Sequence, residues 1–223
     1  MNTYKSALIR KEQSIEKLKL YGVDYIEDLP VTYTVSEVKM KGLEKIARRY
    51  IANIIAIQVA FDILEENDFE ESVSFFSDLL DKYGVKEDLF SNEIAIFEGA
   101  ATKEECVNLT WQYESINVLS WILGLNDKLE YPNNMCNTEK LISFVVRCEN
   151  LESFIKKCKL IDIENILDEL DLEYRYHWAL VDNRINPTTN CGGLDEEIVV
   201  ERRRALEWVF SDENDWNYFS LDT

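Results

Sequence analysis

His177 is the single histidine of the chain, and it stands beside Trp178. An imidazole titrates near neutral pH, which makes it the side chain best suited to relaying protons, and it is also the commonest metal ligand. A zinc site would need cysteines or carboxylates at ligand spacing around it, and none stands there. A di-iron bundle requires Glu-x-x-His twice, a motif the chain lacks. Glu173 precedes His177 by one helical turn, but its helical phase projects outward. No G-x-S-x-G nucleophile elbow occurs, and no glycine-rich phosphate loop. Gly192-Gly193 suits a helix start, where its amides offer at most a weak place for an anion. These residues imply no metal and no cofactor.

The other ionisable residues that fall on apolar faces are Glu114 and Arg202, with Asp171 at the edge of a third face that also carries His177. Read as one helix from 102 to 125, the face of Val107, Trp111, Val118, Trp121 and Leu125 includes Glu114, between Trp121 and Val118 at 100° per residue. In the last helix Arg202 falls between Val209 and Leu206, whereas Arg203 and Arg204 reach water. An isolated buried charge is too costly to persist. The expectation is therefore mutual pairing, with the planar fork of Arg202 holding Glu114. If the tail folds back, Asp222 takes that role instead. Trp111, Trp121, Trp178 and Trp216 surround the cluster. It reads either as a structural ion pair that fixes helix register or as a ligand pocket.

Composition narrows what such a cluster could serve. The 223 residues carry 24 Lys and Arg against 43 Asp and Glu, a formal charge of −19. That balance disfavours phosphate backbones, whose binding needs cations to displace counterions, and anionic membrane surfaces; the expectation is no nucleic acid and no membrane. With 46% hydrophobic residues the chain is globular, and its three prolines and seven glycines favour long helices. No apolar run is long enough to span a bilayer, and the charged N-terminal stretch has no signal-peptide core. Five cysteines, an odd number with no C-x-x-C pair, read as free thiols of a cytoplasmic protein.

The elements expected to position these residues are all helical: an all-α, single compact domain over 1–223 of about eight or nine helices, with at most one short extended segment near 23–35. Helices are expected over 4–21, 36–65 (opened by Ser36), 69–83, around 89–97, 102–125 (capped by Thr102 and Glu105), 138–148, 150–158, 162–183 and 194–210. Arg49 and Asn53 fall near the apolar stripe of the second helix, where they satisfy each other and the backbone or face a polar pocket. The tail over 215–223 is expected to pack back as a lid, with Trp216 and Phe219 covering a surface.

Several stretches together resemble an uncharacterised bacterial family, the domain of unknown function 4272. They are Leu29-Pro30, Glu44 to Arg49, Trp111 to Leu125, Glu164 to Ala179, Gly193-Leu194-Asp195, Glu201-Arg202 with Ala205-Leu206 and Trp208, and Asp222-Thr223. The chain departs from the family's pattern at Arg203-Arg204 and Glu207. The resemblance implies a mostly helical fold and no function. Two function classes follow from the residues. One is a soluble acidic interaction protein that neutralises a basic protein partner, in the manner of an immunity protein. The other is a small-molecule or anion-binding protein, or an enzyme, with a pocket around Glu114, His177 and Arg202.

Overall fold

A computed structural model describes residues 5–218 and 220–223; Tyr4 and Phe219, assigned above to the first helix and the lid, lie outside them. The described residues form an all-α structure, with one isolated bridge between Val23 and Cys191 in place of any strand.

The helices begin and end where the sequence supplies caps. Ser6 accepts from the Ile9 amide to open α1 (Ala7–Tyr21), and Gly22 closes it in the left-handed conformation at φ 67°. Leu43–Leu64 forms α2, and Phe69–Tyr83, opened by Asp68, forms α3. The short α4 (Ser91–Phe97) is followed by α5 (Lys103–Trp111), on which Thr102 and Glu105 make the expected capping box. Next come α6 (Tyr113–Ile122), α7 (Thr138–Val146) and α8 (Leu151–Ile155). Asp162 caps the long α9 (Ile163–Ile185), and Asp195 caps α10 (Glu196–Phe210).

Most expected bounds shift by a few residues, and two expected helices depart further. The helix expected from Ser36 starts at Leu43 instead. Glu37 accepts from the Thr34 amide at 2.7 Å and from its hydroxyl at 2.6 Å. These bonds close one 3₁₀ turn over Val35–Glu37, after which Val38 is extended at φ −118°, ψ 153°. The stretch 102–125 is two helices. Gln112 donates to the Leu109 carbonyl three residues back, and this tightened turn shifts the phase of everything after it. A face projected across the turn does not hold: Val107, before it, is 44% exposed, whereas Val118, after it, is buried.

Chain contacts divide the protein into two compact units. The first comprises Met1–Met40, Glu130–Met135 and Ile161–Thr223. In it α9 packs against both α1 and α10, around a core that includes Leu18, Val23, Leu172, Tyr176, Leu180, Leu194 and Val199. Gly192 supports this core from the loop: it sits at φ +64°, and a Cβ there would come within 2.7 Å of the Tyr131 hydroxyl oxygen. The second unit, Lys41–Leu129 with Cys136–Leu160, is built around α2, which contacts α3, α4, α5, α6 and α8.

The extended segment of the first unit is held by arginines rather than by a sheet. Arg10 of α1, fully buried, donates to Asp168 and Glu164 of α9 and to the Tyr33 carbonyl at 2.8 Å. Arg175 and Asp171 stand one turn apart on α9. Both carboxylate oxygens are held at 2.9 Å, by Nε and Nη2, and Nη2 also donates to the Pro30 carbonyl at 3.1 Å. Thr32 completes the carboxylate's partners at 3.0 Å. Removing one member of such a buried pair leaves an uncompensated charge, which typically costs about 3–5 kcal/mol. Arg175→Met should therefore lower the unfolding free energy in urea by that order, and the double variant Asp171→Leu/Arg175→Met should recover most of the loss.

Candidate functional site

The ionisable residues singled out by the sequence are placed on these helices as follows. Asp171 is fully buried and consumed by Arg175 and Thr32. Arg202, 1% exposed, donates to the Glu130 carbonyl at 2.6 Å and lies 3.7 Å from Glu173 Oε1. Glu173 does not project outward: it is fully buried. Asp171, Leu172 and Glu173 are all buried, so α9 is covered on three sides at this level, and Tyr174 on the fourth is half-buried. In the second unit Glu114 is fully buried and accepts the Cys136 amide at 2.6 Å, which fixes the chain ahead of α7. Trp111 and Trp121 are half-buried. Arg49 and Asn53 both reach Glu93, with Asn53 Nδ2 at 2.6 Å. Arg49 also donates to the Asp88 carbonyl at 2.5 Å and stacks 3.9 Å from the Phe90 ring centroid.

The arginine beside the histidine is Arg203, which the helical projection sent to solvent. It is 5% exposed. Its Nη1 bonds His177 Nδ1 at 2.7 Å and the Leu221 carbonyl at 3.2 Å, and its Nη2 donates to the Asp222 carbonyl at 2.8 Å. Its guanidinium lies 4.9 Å from the Tyr174 ring centroid. A guanidinium only donates, so Nδ1 accepts and the imidazole proton sits on Nε2. Burial, then Arg203 and Arg184, push the histidine pKa down to about 4. At neutral pH His177 is thus an uncharged acceptor with its inner nitrogen occupied.

Arg203 also takes the place expected of Arg202 at the tail. Asp222 contributes its carbonyl to it, while its carboxylate accepts the Ser220 hydroxyl at 2.6 Å. Upstream, Trp216 is 1% exposed and meets Trp208 edge to face, with centroids 5.6 Å apart. Trp208 Nε1 donates to the Asn214 carbonyl at 2.8 Å. This cover makes the second side of α10 an interior, and it is why Arg203 is buried one residue off the apolar stripe. Trp216 is the one sequence signal for it, because a tryptophan in a polar tail needs a face to cover. Glu93 and Glu173 were missed because each sits among residues whose spacing gives no second apolar face.

Next to Arg203 the surface opens into two adjoining clefts of about 390 and 370 Å³ that share Tyr33, Glu37, Arg203 and Glu207. Burial raises the pKa of Glu207, and Arg203 opposes that rise. Tyr33 is raised in turn, first by Glu207. Among the described residues no group of three or more His, Cys, Asp or Glu side chains is placed to hold a metal ion. No helix among them is long and apolar enough to cross a membrane.

The described residues define an all-α protein whose buried arginines are paired with carboxylates and carbonyls. The family model described as Domain of unknown function (DUF4272) matches residues 10–219, and the chain belongs to this family. No curated protein and no solved structure matches it.

Because the folded pKa of His177 lies below the ordinary value, the unfolded chain binds the extra proton first. Stability tied to this residue is therefore intact above about pH 6.5 and is lost as pH falls toward 4. His177→Asn keeps an acceptor for Arg203 and removes the titration. Its thermal midpoint should fall less than that of the wild type between those limits, as read by circular dichroism. Trp216→Ala uncovers Trp208 and should cost about 3 kcal/mol, seen as a lower midpoint in the same experiment.

Proposed function

We propose that this is a cytoplasmic, bacterial-type protein that acts by binding a basic protein partner rather than by catalysis. The supporting observation is where the charge sits. Five arginines (Arg10, Arg49, Arg175, Arg202, Arg203) and six carboxylates (Asp88, Glu93, Glu114, Asp171, Glu173, Glu201) are buried. The interior therefore absorbs only one unit of the −19 formal charge, and the rest lies on half-buried and exposed residues. A field of one sign over the surface speeds encounter with an oppositely charged partner and rejects like-charged ones. Neutralisation of a basic toxin is one form this activity would take.

An enzyme working through His177 has less support. With Nδ1 taken by Arg203 and a pKa near 4, the imidazole is neither a ready acid nor an effective base at neutral pH. The partner reading is tested by immobilising the chain, passing lysate of a source bacterium over it at low salt, and eluting with high salt. The expected result is a small set of proteins of net positive charge, released by salt and recaptured one at a time after purification. An eluate without charge bias, or retention that salt does not affect, counts against it.

A further inference from the structure

Between Arg49 and Lys82 the chain carries eight Asp and Glu and no Lys or Arg. This stretch forms most of α2, the turn after it and α3. At the corner between the two helices, wholly within the second unit, lies an open cleft of about 430 Å³. Its walls include the carboxylates of Asp62, Asp68 and Glu71 and the rings of Phe75 and Phe76. Asp68, Glu71 and Phe75 recur at spacings of three and four residues, which gathers them on one side of α3, apart from the side that buries Ser72, Leu80 and Tyr83. Phe75 is consequently 58% exposed, an aromatic ring in solvent among carboxylates.

Local structure uses only part of this wall. Asp62 accepts from Asn67 at 2.9 Å and from the Ser72 hydroxyl at 2.6 Å. One oxygen of Asp68 accepts the Glu71 amide at 2.9 Å, as the cap of α3. Lys103, the lysine that reaches this end of the helix pair, is taken by Glu66 at 2.9 Å, and among the described residues no cation pairs with Asp68 or Glu71. The Phe75 and Phe76 rings stand nearly perpendicular, at 82°, with centroids 5.1 Å apart, so the cleft presents aromatic surface in two directions.

Charge complementarity and the aromatic wall select one kind of occupant. An apolar segment would cover the carboxylates without pairing them. Lysine, a compact point charge, would answer a carboxylate but could not lie flat on a ring. Arginine does both: its planar fork takes a carboxylate, its face stacks on an aromatic ring, and its stem runs along apolar surface. We propose that this cleft at the α2–α3 corner receives an arginine side chain of a basic protein partner, held by Asp68 and Glu71 and stacked on Phe75. The assignment rests on the basic-partner reading and names the surface through which that partner docks.

Chemical-shift mapping on the isotopically labelled full-length chain tests the cleft, with the end-blocked peptides Gly-Arg-Gly, Gly-Lys-Gly and Gly-Glu-Gly at millimolar concentration as probes. The arginine peptide should give saturable shifts centred on residues 62–76, the lysine peptide weaker ones, and the glutamate peptide none. Phe75→Leu keeps an apolar side chain and removes the ring, and Glu71→Gln removes one charge; each should raise the Kd about threefold, and the double variant about tenfold. Glu149→Gln, an exposed change of equal charge outside the cleft, should leave it unchanged. Matching thermal midpoints confirm that the variants are folded. Shifts spread evenly over the surface, shifts centred elsewhere, or equal affinity for the lysine peptide would each overturn the proposal. Passing lysate over wild type and double variant separates it from the reading beneath it. Basic proteins captured equally by both would sink the cleft and leave that reading standing. Arginine-peptide binding in the cleft with an eluate lacking charge bias would sink the reading and keep the cleft as an arginine site.

Discussion

Most of this structure depends on one repeated interaction: an arginine on a helix that pairs with a carboxylate and also donates to a carbonyl outside the α-helices. Arg10 does so for Tyr33, Arg175 for Pro30, Arg202 for Glu130, Arg203 for Leu221 and Asp222, and Arg49 for Asp88. The need arises from the fold class. An all-α protein has no sheet ladder to satisfy the carbonyls of its connecting segments, yet buried carbonyls must be paired. Guanidinium suits the task because it is planar, stays charged and carries five donors, enough for a carboxylate and a carbonyl together. The result is irregular chain held as firmly as helix.

The same economy shapes the chemistry. Residues that would elsewhere serve as acid, base or anion ligand are committed to holding the chain. Asp171 is saturated by Arg175 and Thr32, Glu93 by Arg49 and Asn53, and His177 is kept neutral by Arg203 and burial. Such pairs add little net stability over apolar packing, and their loss is expensive; what they contribute is one defined route for each segment. With nearly equal numbers of buried cations and carboxylates, the strong negative charge is left outside.

Where local sequence and environment agree, the helices could be read in advance. Gly22, Thr102 with Glu105, and Asp162 all cap the elements they announce, because capping is satisfied within a few residues. Family membership was legible too, since order and spacing run along nearly the whole chain. The two largest departures have a common cause. At Thr34 and at Gln112 a single tight turn competes with the α-helix for the same hydrogen bonds, and periodicity extended across it assigns the wrong face to Val107.

The sequence by itself determined that the protein is helical, strongly acidic and burdened with ionisable residues on apolar faces, because propensity, capping and charge count are local or additive. Only the tertiary structure decided where those residues find partners. Pairing depends on which helix sides are covered, and coverage is set by contacts between distant segments: the tail over α10 buries Arg203, and the packing around α9 buries Glu173. A helical wheel assumes one buried side. Arg203 and Glu173 lie on helices that have more than one, and so these constrained charges were the ones its periodicity concealed.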